Sequence, residues 1–200
     1  MSKIHTHVLF RGILLASTFT FGQADHIIFS EVVLTPSEGE YVEITNPTGN
    51  DIDLSDYYLT DATDNASGKV YHNLPSGADY WSGAGSDFIC RFPTGYLLAA
   101  GASIKVSLRD NDSYVSTYGE SADLALDNEM LNAVDGESTK GSAAAQKLAN
   151  TSETLVLFYW DGSSLIVKDV DYLLWGDNSF AIDKSGVSGY QSDTPVLSQS

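Results

Sequence analysis

Five aspartates fall between positions 51 and 64 of this chain, Asp51, Asp53, Asp56, Asp61 and Asp64. Carboxylate oxygens gathered in one loop are what a hard cation such as Ca2+ binds. Asp51-x-Asp53-x-Ser55 opens like a calcium loop, but Asp56 stands where the sharp turn needs glycine and Ala62 where a bidentate glutamate closes the shell. It is therefore not an EF-hand loop, and Asp51, Asp53, Asp61 and Asp64 remain as candidate calcium ligands. The competing reading makes Asp51 and Asp53 the wet face of a strand whose other face carries Ile52 and Leu54.

Other chemistry is thinly supplied. His5 and His7 precede the first apolar run, which leaves His26 and His72, neither in a metal-binding spacing. No G-x-S-x-G elbow, phosphate loop or cysteine pair occurs. Cys90, the only cysteine, lies in the apolar run Phe88-Ile89-Cys90 without a neighbouring base to lower its pKa, so it reads as a packed thiol. Glu31 and Glu43 offer an acid and base pair by type, yet each lies in a strand pattern that gives a solvated or structural role. Aromatic residues concentrate between Ala78 and Gly95, where Tyr80, Trp81, Phe88 and Phe92 mark either a ligand loop or a cap on one end of the core.

These side chains must be held by short strands. Val32 and Leu34, Val42 and Ile44, and Ile52 and Leu54 recur two apart, the period that sends alternate side chains to one face. Pro36-Ser37-Glu38-Gly39 and Asn46-Pro47-Thr48-Gly49-Asn50 separate them as turns. Ile104, Val106 and Leu108 face one way, while Ser103, Lys105, Ser107 and Arg109 face water. The run Thr154 to Trp160 is apolar on both faces, as in a strand covered on both sides, and Asp161-Gly162 turns it toward a strand from 165 to 175. Strands over 27–35, 40–46, 51–60, 69–74, 97–108, 124–127, 154–160 and 165–175 predict an antiparallel sandwich or barrel without βαβ units. Residues 111–151 read as a long insertion with no helix assigned, its Ala, Ser and Gly-rich part a mobile loop.

The first 24 residues read as a secretory signal peptide: Lys3 and Arg11 flank a polar start, Gly12 to Phe21 is apolar, and Gly22-Gln23-Ala24 supplies small residues for cleavage. That apolar run is about half the roughly 20 residues a membrane span needs. A secreted or cell-surface location follows as the expectation, a periplasmic one included. Setting the leader aside removes two of the 10 Lys+Arg and none of the 27 Asp+Glu, so the net charge moves from −17 to −19. Such a surface repels phosphate backbones and argues against nucleic-acid partners. The domain should span 25–180, with 181–200 a tail or a linker to further domains past Ser200.

Several ordered segments then resemble the lamin tail domain family. Ile28-Phe29-Ser30-Glu31-Val32 is similar to its opening strand, Gly39 to Thr48 to its G-x-(F/Y)-(V/I)-E segment, and Ile52 to Leu59 to the strand that follows, with Asp56 where glycine is usual. Leu97 to Leu108 and Val170-Asp171-Tyr172-Leu173-Leu174-Trp175-Gly176 are similar to later strands. The resemblance covers most of residues 27–177. It implies an immunoglobulin-like antiparallel β-sandwich with long loop insertions, acting as a non-catalytic interaction or accessory module toward an unknown protein or extracellular polymer. It implies no cofactor, with Ca2+ held open by the aspartates. The alternatives are an extracellular hydrolase, or a fragment of one, and a calcium-dependent adhesion or structural protein.

Overall fold

The computed structural model describes residues 24–63, 70–76, 87–133, 147–176 and 181–190. Its first sheet has four strands in the order β1 (Ile28–Val33), β2 (Tyr41–Thr45), β7 (Ser103–Ser107) and β8 (Leu124–Ala125). The second has five, in the order β11 (Lys168–Trp175), β10 (Glu153–Tyr159), β4 (Tyr57–Thr60), β5 (Ile89–Arg91) and β9 (Leu131–Asn132). A small ladder joins β3 (Ile52–Asp53) to β6 (Leu97–Leu98).

The alternation seen in the sequence becomes the main core. Val42 and Ile44 of β2 and Ile104 and Val106 of β7 meet Leu59, Cys90, Leu155 and Leu157 from the second sheet, all nearly or fully buried. Opposed apolar faces of two sheets removed from water in this way make the sandwich. The sandwich is immunoglobulin-like and chiefly antiparallel, but β7 and β8 run parallel, joined through the helix α1 (Asn111–Tyr118).

Helix α1 lies where no helix is predicted. Asn111, Asp112, Ser113 and Thr117 are poor helix formers with no apolar stripe to announce them. Tertiary contacts form it. Asp110 caps the first turn by accepting from Ser113 N at 2.7 Å, and Tyr114 and Tyr118, one turn apart, pack edge-on against Tyr41 at 5.7 and 5.6 Å. The Cβ of any residue replacing Gly39 would come within 2.9 Å of Tyr118. Ser107, expected in water, is fully buried where the chain turns into the helix, its hydroxyl 3.4 Å from Asp110 O.

The five-stranded sheet is covered on its far side too, as the two-faced apolar pattern of β10 requires. Tyr58, Ile89, Val156 and Phe158 pack there against Val70, Tyr71, Leu74, Val167 and Ile182. The strand expected over 69–74 is instead a 3-10 helix, Tyr71–Ser76. Tyr71 and Leu74, three apart, both turn down onto the sheet, and Pro75 has no N–H to give a ladder. Residues 181–190, expected as tail or linker, form part of this cover: Ala181, Ile182 and Lys184 are buried. Two longer strands also divide. The turn at Ser55 and Asp56 sends β3 and β4 to different sheets, and the turn at Ala99 to Gly101 does the same for β6 and β7. The strand after Asp161 starts at Lys168 and not at 165, because the Asp161 carboxylate gathers Ser163 N and Ser164 N at 2.9 and 2.6 Å into a polar loop.

Candidate functional site

The candidate aspartates serve separate turns. Asp51 accepts from Ala100 N at 2.9 Å. Asp53 accepts from Ser55 N and Ser55 Oγ, which hold its carboxyl below the usual range. Asp61 is buried and accepts from Phe88 N at 2.7 Å, while its Oδ2 has no hydrogen-bond partner; burial pushes its carboxyl well up. Asp64 lies outside the described residues. No three His, Cys, Asp or Glu side chains are grouped to hold a metal among the described residues. Of the aromatic loop, Tyr80 and Trp81 lie outside the described residues. Phe88 and Phe92 belong to the main core, fully buried, so the ligand-loop reading fails for these two. Glu31 and Glu43 are register partners on the wet face, receiving Tyr41 OH at 2.6 Å and Ser30 Oγ at 2.7 Å.

A different set of residues lines an open groove of about 520 Å3 at one end of the sandwich: His26, Tyr57, Tyr159, Lys168, Asp169 and Val170. Strand register builds it. Tyr57 pairs with Tyr159 across β4 and β10, and Tyr159 with Lys168 across β10 and β11, which stacks three side chains along one face. The tyrosine rings meet edge to face at 5.4 Å, and Lys168 Nζ sits 5.9 Å over Tyr159. Burial, then the neighbouring Tyr159, push the Tyr57 phenol up, so it stays a neutral hydroxyl at physiological pH. His26, just before β1, hydrogen-bonds Asp25 at 2.8 Å.

Asp169 ties this groove to the cover of the second sheet. Its carboxylate accepts from Tyr71 OH at 2.6 Å and pairs with Lys184, whose side chain is 7% exposed. Lys184 Nζ also lies 5.7 and 5.1 Å from the Tyr71 and Tyr190 rings, and Tyr190 OH accepts from Val167 N at 2.9 Å. Ring faces and a carboxylate keep a buried ammonium solvated in place of water.

The other end of the sandwich carries a buried and a half-buried acid. Glu40, immediately before β2, is fully buried, with Oε2 accepting from Lys147 N at 2.8 Å and Oε1 without a partner. Glu153 opens β10 and accepts from Thr154 N at 3.1 Å. Burial raises each carboxyl to about 7, against the lowering effect of backbone N–H groups. Neither glutamate is among the sequence-based candidates, though a signal existed. Glu40 shares the parity of Val42 and Ile44, Glu153 that of Leu155 and Leu157, and Asp61 that of Leu59, so all three point inward by period alone. The groove gave no such signal, since it depends on which strands become neighbours.

The family model that matches this chain, over residues 22–173, is that of the Lamin Tail Domain. No curated protein matches it.

Proposed function

The chain belongs to the lamin tail domain family, and from that premise we propose that it is a non-catalytic interaction module, exported by its first 24 residues and engaging its partner through the groove of Tyr57, Tyr159 and Lys168. The observation that carries the reading is the contrast between the groove and the acids. Asp51, Asp53, Asp61 and Glu40 each direct a carboxylate oxygen to a backbone N–H and fasten the fold. At the groove, aromatic edges, a phenol, an imidazole and an ammonium share one open surface. Lys168 is absent from the ion pairs among the described residues. Such mixed aromatic and polar surfaces bind by contact and orientation.

Binding of the purified protein to peptide and glycan arrays tests this. Wild type should retain specific partners that Tyr159→Ala binds at least tenfold more weakly, while Val115→Ala, at an exposed side chain on helix α1 and outside the groove lining, binds as wild type. Equal binding by Tyr159→Ala overturns the groove assignment. Turnover of a nucleic acid, peptide or glycan that one substitution abolishes overturns the non-catalytic reading. Export is checked by N-terminal sequencing of extracellular protein, which should begin at Asp25.

A further inference from the structure

Two acids at the end opposite the groove, Glu40 fully buried and Glu153 half-buried, converge on one short segment. Lys147 to Ala149 lies at the ends of β2 and β10, with Leu148 fully buried in the main core. Its successive N–H groups are divided between the sheets. Those of Lys147 and Leu148 act on Glu40, at the start of β2, and that of Ala149 acts on Glu153, at the start of β10. Ala149 O accepts from Trp175 Nε1 at 2.9 Å, at the end of β11. The segment is thus a strap across the mouth of the sandwich, held by carboxyls from both sheets.

We propose that this clasp is a proton-operated closure: with Glu40 and Glu153 protonated the strap is held shut, and with both ionised it loosens and lifts Leu148 from the core. The geometry supplies the reason. Glu40 is fully buried and one of its oxygens has no donor among the described residues, so its ionised form is under-solvated while the strap is closed. Opening admits water and relieves that cost. The charged groups that act on Glu40 are Arg109 and Lys147, both favouring ionisation, and burial outweighs them. Glu153 faces Asp87, which opposes ionisation, and Asp61, itself buried, feels both Asp87 and Glu153.

The sign follows from linkage. Each glutamate titrates near 7 in the closed state and at its ordinary value of 4.5 once open to water, so the closed state holds more protons between these limits. Closing weakens as pH rises through that window, by up to tenfold per unit for each group, and levels off above it. Amide hydrogen exchange of the purified protein, corrected for intrinsic rates, reads this directly. Protection across Lys147 to Ser152 should fall at least tenfold from pH 5 to pH 7.5, while the centre of β10 changes far less. Glu40→Gln/Glu153→Gln, neutral at every pH, should keep high protection throughout. Strap protection independent of pH in wild type, or an unchanged pH dependence in the double variant, overturns the proposal. Should the double variant fail to fold, carboxyl-carbon NMR of wild type decides: both glutamates must titrate above pH 6, and ordinary titration overturns the closure.

Discussion

Asp61 shows how one residue type serves opposite ends according to burial. Its carboxyl gives Phe88 N a partner and has nothing on its second oxygen, so an amide of the same shape fits the site and removes the cost of a buried charge. Asp61→Asn should match or exceed wild-type stability at pH 8 in urea unfolding, whereas Asp61→Ala, which orphans Phe88 N, should lose about 1–3 kcal/mol. Gly176 gives a sharper case. It has φ of 75°, and an added Cβ would lie 1.9 Å from Thr151 O; backbone cannot yield that distance cheaply. Gly176→Ala should lose more than about 2 kcal/mol and shorten the urea midpoint accordingly. At this scale parity carried a signal for Glu40 and Glu153, and it misled at Ser107, which is buried where the chain turns into α1. The sequence was illegible at Phe88 and Phe92, because an aromatic in a glycine-rich stretch has no period to say which way it faces.

Among the elements, β10 and α1 mark the two extremes of legibility. The five consecutive buried residues of β10 announce cover on both faces, since a strand with one wet face must alternate. Helix α1 announces nothing, because its eight residues hold few helix formers and its stability comes from a cap and from Tyr114 and Tyr118 on a neighbouring sheet. Removing the cap with Asp110→Ala should cost about 1 kcal/mol in thermal or urea unfolding. The segment 181–190 reads as polar tail, yet it roofs Phe158 and Val156 through Ile182, Lys184 and Tyr190. A chain ending at Gly176 would bare that apolar face, and it should bind the dye ANS and aggregate where the full chain stays dispersed.

The whole molecule combines a strongly acidic surface with acids that prefer to be neutral. Glu40 and Glu153 have folded-state values raised to about 7, so each contributes stability that is present at low pH and lost as pH rises from the ordinary carboxyl range toward 7, and burial shifts Asp61 in the same direction. Asp53, Asp110 and Asp161 are lowered by N–H and hydroxyl donors, and their contribution is lost only as pH falls below about 4. Melting temperature should therefore peak near pH 5 and decline toward pH 8. A flat or rising profile over that interval would contradict these assignments. By itself the sequence determined most of the longer strands, the sandwich and its family, since alternation, turn residues and ordered motifs are local properties of the chain. Only the tertiary structure decided that α1 forms, that 181–190 is a roof, that Tyr57, Tyr159 and Lys168 share a groove, and that Glu40 and Glu153 meet one strap. These depend on which distant segments become neighbours, and on the loss of water there, which no local period encodes.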